Sequence, residues 1–180
     1  MDNRIREVYL RLKDYEHAMD LLRSKGMETP VRKYVLAYTL GATGRRISEV
    51  LQLTTRDVLF EEKKIVWRIL KKRKDYVLVL PASERLLKLL SRYIIFNGVS
   101  DRLFPVSRRQ AWLDVKRALN EVGLHGWSPH SLRHAFILKA LIETKSIELV
   151  RRWVAHSKYN MLLEYARIVG LEFDKPLVEL

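Results

Sequence analysis

The chain has 180 residues, with 34 Lys plus Arg against 21 Asp plus Glu and a formal charge of +13. Hydrophobic residues make up 48% of it, enough for one domain with its own core and too many for a disordered chain. There is no Cys, which excludes disulfides and thiolate metal sites, and a cationic surplus of this size points to a polyanionic partner, nucleic acid first.

Ile5, Val8, Tyr9, Leu12, Tyr15, Met19 and Leu22 fall at helical spacing and predict one helix from Ile5 to Leu22, ended by Lys25-Gly26. Thr29-Pro30 reads as a cap and first-turn proline, opening a second helix to about Leu40 that Gly41 and Gly44 break. A short helix from Ile47 to Leu53 follows, with Asp57 just beyond it. Lys64–Ile69 and Tyr76–Leu80 read as paired strands, joined by a basic turn that contains Lys71, Lys72, Arg73 and Lys74. Helices resume over Ala82–Phe96, ended by Asn97-Gly98, and over Arg108–Val122 behind an N-cap at Ser107. Three more cover Ser131–Glu143, Ser146–Val154 and Asn160–Val169, with Gly170 as the last cap. The expected fold class is mainly α with a small antiparallel β-sheet. No apolar run approaches about 18 residues, so no membrane span is expected. The N-terminus mixes charged and apolar residues, unlike a signal peptide. An intracellular, soluble protein is the expectation.

The last third carries the chemistry: Ser128-Pro129-His130-Ser131-Leu132-Arg133-His134, then His156, then Tyr165. Upstream stands Gly44-Arg45-Arg46-Ile47-Ser48-Glu49. Breaking a phosphodiester needs a nucleophile, cations at the non-bridging oxygens and a proton for the leaving oxygen. Arginine suits the second task because its planar fork holds two phosphate oxygens and stays charged. His130 and Arg133, three apart at a helix start, share one face of the first turn, where free N–H groups also favour a phosphate. Taken alone, that pair also fits a solvated helix start.

The full set resembles the tyrosine recombinase (phage-type integrase) family of site-specific DNA recombinases. The family's Thr-Gly-x-Arg-x-Ser-Glu segment stands here as Thr43-Gly44-Arg45-Arg46-Ile47-Ser48-Glu49, with Leu51, Leu53 and Asp57 at the usual places. A hairpin with a basic turn follows, then a Pro-His-x-Leu-Arg-His box at Pro129–His134, then His156 with Tyr165 nine residues on. The resemblance runs from about residue 30 to 169 and implies the catalytic-domain fold and these roles. Arg46 and Arg133 clamp the scissile phosphate, and His130 and His156 hydrogen-bond it, His130 alternatively helping to take the tyrosine proton. Tyr165 attacks phosphorus to give a 3′-phosphotyrosyl bond, and Lys71 protonates the leaving 5′-oxygen, with Lys72 and Lys74 as rivals for that task. No metal and no cofactor is implied. Two departures stand out: Arg45 occupies a position where the family usually has an apolar residue, and Ala155 replaces a glycine before His156. Tyr159 is a rival nucleophile. Trp112 and Trp127 read as core, His134 as a packing or orienting residue, and His125 as a loop residue.

Residues 62–74 hold seven Lys or Arg against one Glu, and residues 102–117 hold five against one Asp. Lys72, Arg73, Lys74, Arg108 and Arg109 are expected to track the backbone of double-stranded DNA without reading its sequence. Family members place a separate helical domain before the catalytic one. Residues 1–180 are expected to be a single catalytic domain without it, either a fragment or a minimal recombinase, and to bind DNA weakly. By the resemblance, the tail at 170–180 docks on a neighbouring subunit, and the protein assembles as a tetramer on DNA while remaining monomeric or weakly associated when free. The implied setting is the nucleoid or a mobile element. Two other readings are a type IB topoisomerase-like strand relaxase and an inactive DNA-binding protein of the same fold. The presence of every polar catalytic residue speaks against the second, and RNA recognition lacks an aromatic strand motif.

Overall fold

A computed structural model describes residues 3–69, 76–155 and 159–171. It is mostly helical, in the order α1 (Asn3–Leu10), α2 (Leu12–Glu28), α3 (Arg32–Thr43) and α4 (Ile47–Val50), then a three-stranded sheet, then α5 (Glu84–Asn97), α6 (Arg108–Glu121), α7 (Pro129–Thr144), α8 (Ile147–Trp153) and α9 (Tyr159–Ile168). The antiparallel sheet has the order β1 (Val58–Leu59), β2 (Lys64–Ile69), β3 (Tyr76–Pro81). The pairing of β2 with β3 runs from Lys64 opposite Pro81 to Ile69 opposite Tyr76. The expected hairpin is present. Strand β1, two residues long and too short for a periodicity signal, adds an edge that sequence patterning missed.

Alternation sends Ile65, Trp67 and Ile69 of β2 into the core. Arg68 points the other way and donates to Asp57 at 2.7 Å. Asp57 also accepts from the backbone N–H and hydroxyl of Thr54, both at 2.8 Å, which closes the turn into β1. Helix α5 buries Leu86, Leu89, Leu90 and Tyr93, at i, i+3, i+4 and i+7. Each such leucine contributes about 1.5–3 kcal/mol on leaving water. The N-cap expected at Ser107 is in place, and Ser83 and Ser146 cap α5 and α8 in the same way: each accepts from the N–H three residues on.

Several helix boundaries differ from the expectation. Thr29 does not cap α3: its N–H bonds the Lys25 carbonyl and ends α2, and α3 starts at Arg32 behind Val31, with Pro30 ahead of the cap. Residues 5–22 do not form one helix, because Arg11 departs from helical dihedrals between α1 and α2. Its guanidinium donates to the carbonyls of Gly123 and His125 and lies 5.6 Å above the Trp127 ring, so the break is fixed by contacts remote in sequence. Helix α2 runs past Gly26 to Glu28, and a Cβ at Gly26 would stand 2.9 Å from Leu89 Cδ1. That glycine serves close helix packing, not termination. Gly41 likewise lies inside α3, where a Cβ would meet the Met19 side chain. The true end is Gly44, at φ +64°. Inside α3 the buried Thr39 and Thr43 hydroxyls donate to the carbonyls of Val35 and Thr39, at 2.7 and 2.6 Å, so neither is left unpaired.

Helix α3 occupies the centre, packed by α2, α5, α6 and α7. Its C-terminus and the N-terminus of α7 therefore meet, and the polar residues of both converge there.

Candidate active site

Helix α7 opens with a reciprocal cap: Ser131 Oγ accepts from the Ser128 N–H at 3.1 Å, and Ser128 Oγ accepts from the Ser131 N–H at 3.4 Å, with Pro129 in the first turn. This sets the axis along which His130, Arg133 and His134 project. His130 is exposed, and Arg133 is only 4% exposed. Arg133 Nη1 donates to the Gly44 carbonyl at 2.5 Å and Nη2 to the Val154 carbonyl at 2.9 Å. Those oxygens lie at the C-caps of α3 and α8. One guanidinium thus sits against the negative ends of two helices. Burial lowers its pKa to about 10, with Arg46 adding repulsion, and it stays charged at neutral pH.

Arg46 follows the turn that Gly44 creates. Its side chain is half-exposed, and Glu49 holds it twice: Oε1 lies 3.3 Å from Nη1, and Oε2 accepts from the backbone N–H at 3.1 Å. Glu49 is 1% exposed. A cavity of about 390 Å³ opens between these elements, lined by Arg46, Ser48, Arg108, Trp112, His130 and Arg133 among others. Arg46 and the pair His130 and Arg133, far from it in sequence, are brought together as expected. Arg108 joins them from the first turn of α6. Arg109 is its exposed neighbour. A basic pair at a helix N-terminus opposes the dipole, so helix stability does not explain either residue.

Tyr165 does not line this cavity. It is 2% exposed on α9, and its hydroxyl lies 2.5 Å from His134 Nδ1. The His134 ring in turn meets His130 edge-on, with centroids 4.7 Å apart. A chain of contacts therefore runs from Tyr165 through His134 to the histidine at the cavity. Lys71, Lys72, Arg73, Lys74 and His156 lie outside the described residues, as does the tail from residue 172.

Sequence reasoning missed or misplaced three functional contributors. Trp112, expected in the core, is 43% exposed and lines the cavity; a tryptophan on one face of an amphipathic helix does not reveal whether that face meets core or cleft. Trp127 is buried, as expected. Glu49 stands in the sequence only as the end of the family segment, although its spacing from Arg46, three residues, is that of an ion pair. The bond between His134 and Tyr165 spans 31 positions and carries no local signal. Ala155 adopts φ +52°, the left-handed region, which gives a physical reason for a glycine there.

Known structures share this architecture. A crystal structure of XerA recombinase superposes with a TM-score of 0.70 at 23% identity, covering 83% of this chain and 56% of that one. The catalytic domain of bacteriophage HP1 integrase gives 0.62 at 22% identity, covering 88% and 86%. The fold is that of a tyrosine recombinase catalytic domain, as the sequence led one to expect.

Residues 8–169 match the model of the phage integrase family, and the chain belongs to that family. A probable integrase/recombinase protein of Methanocaldococcus jannaschii is 30% identical over 175 residues, covering 86% of this chain and 52% of the relative. Tyrosine recombinase XerA of Pyrococcus horikoshii is 31% identical over 146 residues, covering 76% and 50%. The chain thus spans about half the length of the curated relatives it matches.

Proposed function

We propose that the chain is the catalytic domain of a site-specific DNA recombinase that cuts and rejoins strands through a 3′-phosphotyrosyl intermediate. The observation that carries this reading is the convergence of Arg46, His130 and Arg133 on one cavity in a chain of charge +13. Arg46 and Arg133 bind the non-bridging oxygens of the scissile phosphate, and their charge counts most as negative charge grows in the five-coordinate transition state. His130 hydrogen-bonds the same group. The Tyr165 oxygen forms a bond to phosphorus as the bond to the 5′-oxygen breaks. The tyrosine proton passes to His130, and Lys71, or Lys72 or Lys74 in its place, with His156 on a non-bridging oxygen, completes the set by the family pattern. The phosphotyrosyl bond conserves the energy of the broken linkage, so the 5′-hydroxyl of either strand can reverse the step without ATP. The cations are side chains, and the reading calls for no cofactor.

Tyr165 must exchange its bond with His134 for a position facing the cavity before it attacks. A DNA duplex supplies both a reason and a template for that change. Solved XerH complexes with difH substrate, which share this fold, were captured before and after cleavage. Arg108 and Arg109 rest on phosphates beside the cut. Two duplexes bring four copies together, with the segment after α9 reaching a neighbour. The site of action is DNA, chromosomal or carried by a mobile element. Among the described residues, no helix is long and apolar enough to cross a membrane.

Covalent trapping tests the reading. The protein is incubated with nicked duplexes whose cleavage releases a short strand, and SDS-resistant adducts are counted for wild type, Tyr165→Phe and Tyr159→Phe. Loss with Tyr165→Phe alone is expected. Loss with Tyr159→Phe alone moves the nucleophile by six positions, and a wild-type chain that binds DNA yet forms no adduct, even on a cognate site, defeats the reading.

A further inference from the structure

Arg45 stands where relatives of this fold usually carry an apolar side chain, and its surroundings are those of an apolar side chain. The side chain is 0% exposed. Its guanidinium carbon lies 5.7 Å from the centroid of Trp67. Its Nε, Nη1 and Nη2 have no hydrogen-bond partner among the described residues. The nearest carboxylate oxygen is Glu49 Oε2, at 3.9 Å, and that oxygen already accepts from the Arg46 N–H. A guanidinium with no hydrogen bond and only this long ion pair is costly to bury. A cost borne by a folded chain calls for a return elsewhere.

The position of Arg45 shows where that return lies. It lines the cavity that holds Arg46, His130 and Arg133. It also lines a second cavity of about 330 Å³, where Ile65, Trp67, Leu86 and Trp153 stand beside Thr43 and Ser83. Low-polarity walls behind a cation leave its field little screened on the side of the phosphate cavity. Arg45 is close enough to Arg133 to repel its charge. Three guanidiniums, Arg45, Arg46 and Arg133, therefore surround the single carboxylate of Glu49, for a net charge of +2.

We infer that Arg45 is a buried electrostatic support of the phosphate site, matched to the transition state more than to the bound substrate. A phosphodiester brings one negative charge and the five-coordinate state brings two, so a cation beside the cavity attracts the second about twice as strongly as the first. Removing Arg45 from the lining it shares with Arg46, Arg108 and Arg133 therefore costs the transition state more than the bound substrate. This is the differential binding that accelerates a reaction. Arg45 acts through space and through its effect on Arg133; it is a positioning residue, not one that touches the reacting atoms. The inference rests on the recombinase reading of the cavity.

The test compares wild type, Arg45→Met and Arg45→Lys in three measurements: the rate of covalent adduct formation, the melting temperature, and affinity for two small anions by NMR titration. The anions are inorganic phosphate at pH 8, a dianion, and dimethyl phosphate, a monoanion. Arg45→Met is expected to melt no lower than wild type, because a buried charge without hydrogen bonds is removed. It is expected to form adduct roughly tenfold more slowly, short of the hundredfold typical of a donor in direct contact, and to lose more affinity for phosphate than for dimethyl phosphate. Arg45→Lys is expected to regain part of the rate. Arg45→Met with wild-type rate and anion preference overturns the inference. So does a Met variant that melts lower with a Lys variant equally impaired, since that pattern is structural. A wild-type chain that forms no adduct rejects the recombinase reading alone, and the two-anion comparison then decides the role of Arg45 by itself.

Discussion

Gly44→Ala is expected to be among the most damaging single-methyl additions to this molecule. At φ +64° an alanine incurs about 1–2 kcal/mol of backbone strain. The added carbon would also stand 2.3 Å from Phe136 Cδ1. Relieving that overlap by moving a ring or the backbone costs about 1–3 kcal/mol more. Together these give about 2–5 kcal/mol, a fall of roughly 5–15 °C in Tm for a chain of this size. The perturbation reaches the site as well, because the Gly44 carbonyl accepts from Arg133 Nη1. Urea titration and calorimetry measure the first effect, and adduct formation measures the second. Phe136→Ala in the same chain should recover the steric part only, leaving the backbone strain, so the two substitutions should be coupled by about 1–3 kcal/mol. A Gly44→Ala protein within about 0.5 kcal/mol of wild type would refute both the left-handed cap and the close approach.

Tyr165→Phe is expected to abolish the covalent adduct while costing only about 1–2 kcal/mol, the loss of one buried hydrogen bond to His134; a large drop in Tm would show that the hydroxyl is chiefly structural. Ala155→Gly should raise stability by about 1 kcal/mol, or some 2–4 °C, by releasing strain at φ +52°, and an unchanged melting temperature would mean that the strain is absent. Asp57 titrates below the usual carboxylate range: burial alone would raise it, and hydrogen bonds from Arg68 and from the Thr54 N–H and hydroxyl outweigh that. Its folded pKa is depressed, so its contribution is present above about pH 4 and is lost as pH falls through the lowered value. Asp57→Asn should therefore flatten the acid limb of a stability–pH profile, and an unaltered limb would remove Asp57 from that role.

How far the sequence could be read depended on the range of the forces involved. Ser107 announces its helix because a cap is settled within three residues. The pairing of β2 with β3 follows from alternation in two adjacent runs. Arg46, His130 and Arg133 were legible because spacing and residue type carry their chemistry. The failures have a common cause in contacts that span the chain. Gly26 and Gly41 look like helix ends until Leu89 and Met19 are seen against them. Arg11 breaks a helix through carbonyls more than a hundred residues away. Trp112 has the spacing of a core residue, and only the meeting of α6 with the start of α7 turns it into a cleft wall. Nor could a sequence show that Arg45 is sealed from water while Arg46, its neighbour, is not.

Arg133 joins the ends of α3 and α8 with the same guanidinium that is proposed to hold the phosphate. That double duty bears on how such a domain can lose activity over generations. A substitution at Arg133 strips two carbonyls of their partner and unsettles a three-helix junction, so selection for a folded protein preserves the residue even where catalysis is no longer needed. Tyr165 differs, since its hydroxyl bonds a side chain, that of His134, and phenylalanine would keep the packing of the ring. Among silent descendants of this lineage, the tyrosine should therefore be the first to go and the arginine the last, leaving a protein that still grips a phosphate it can no longer cut.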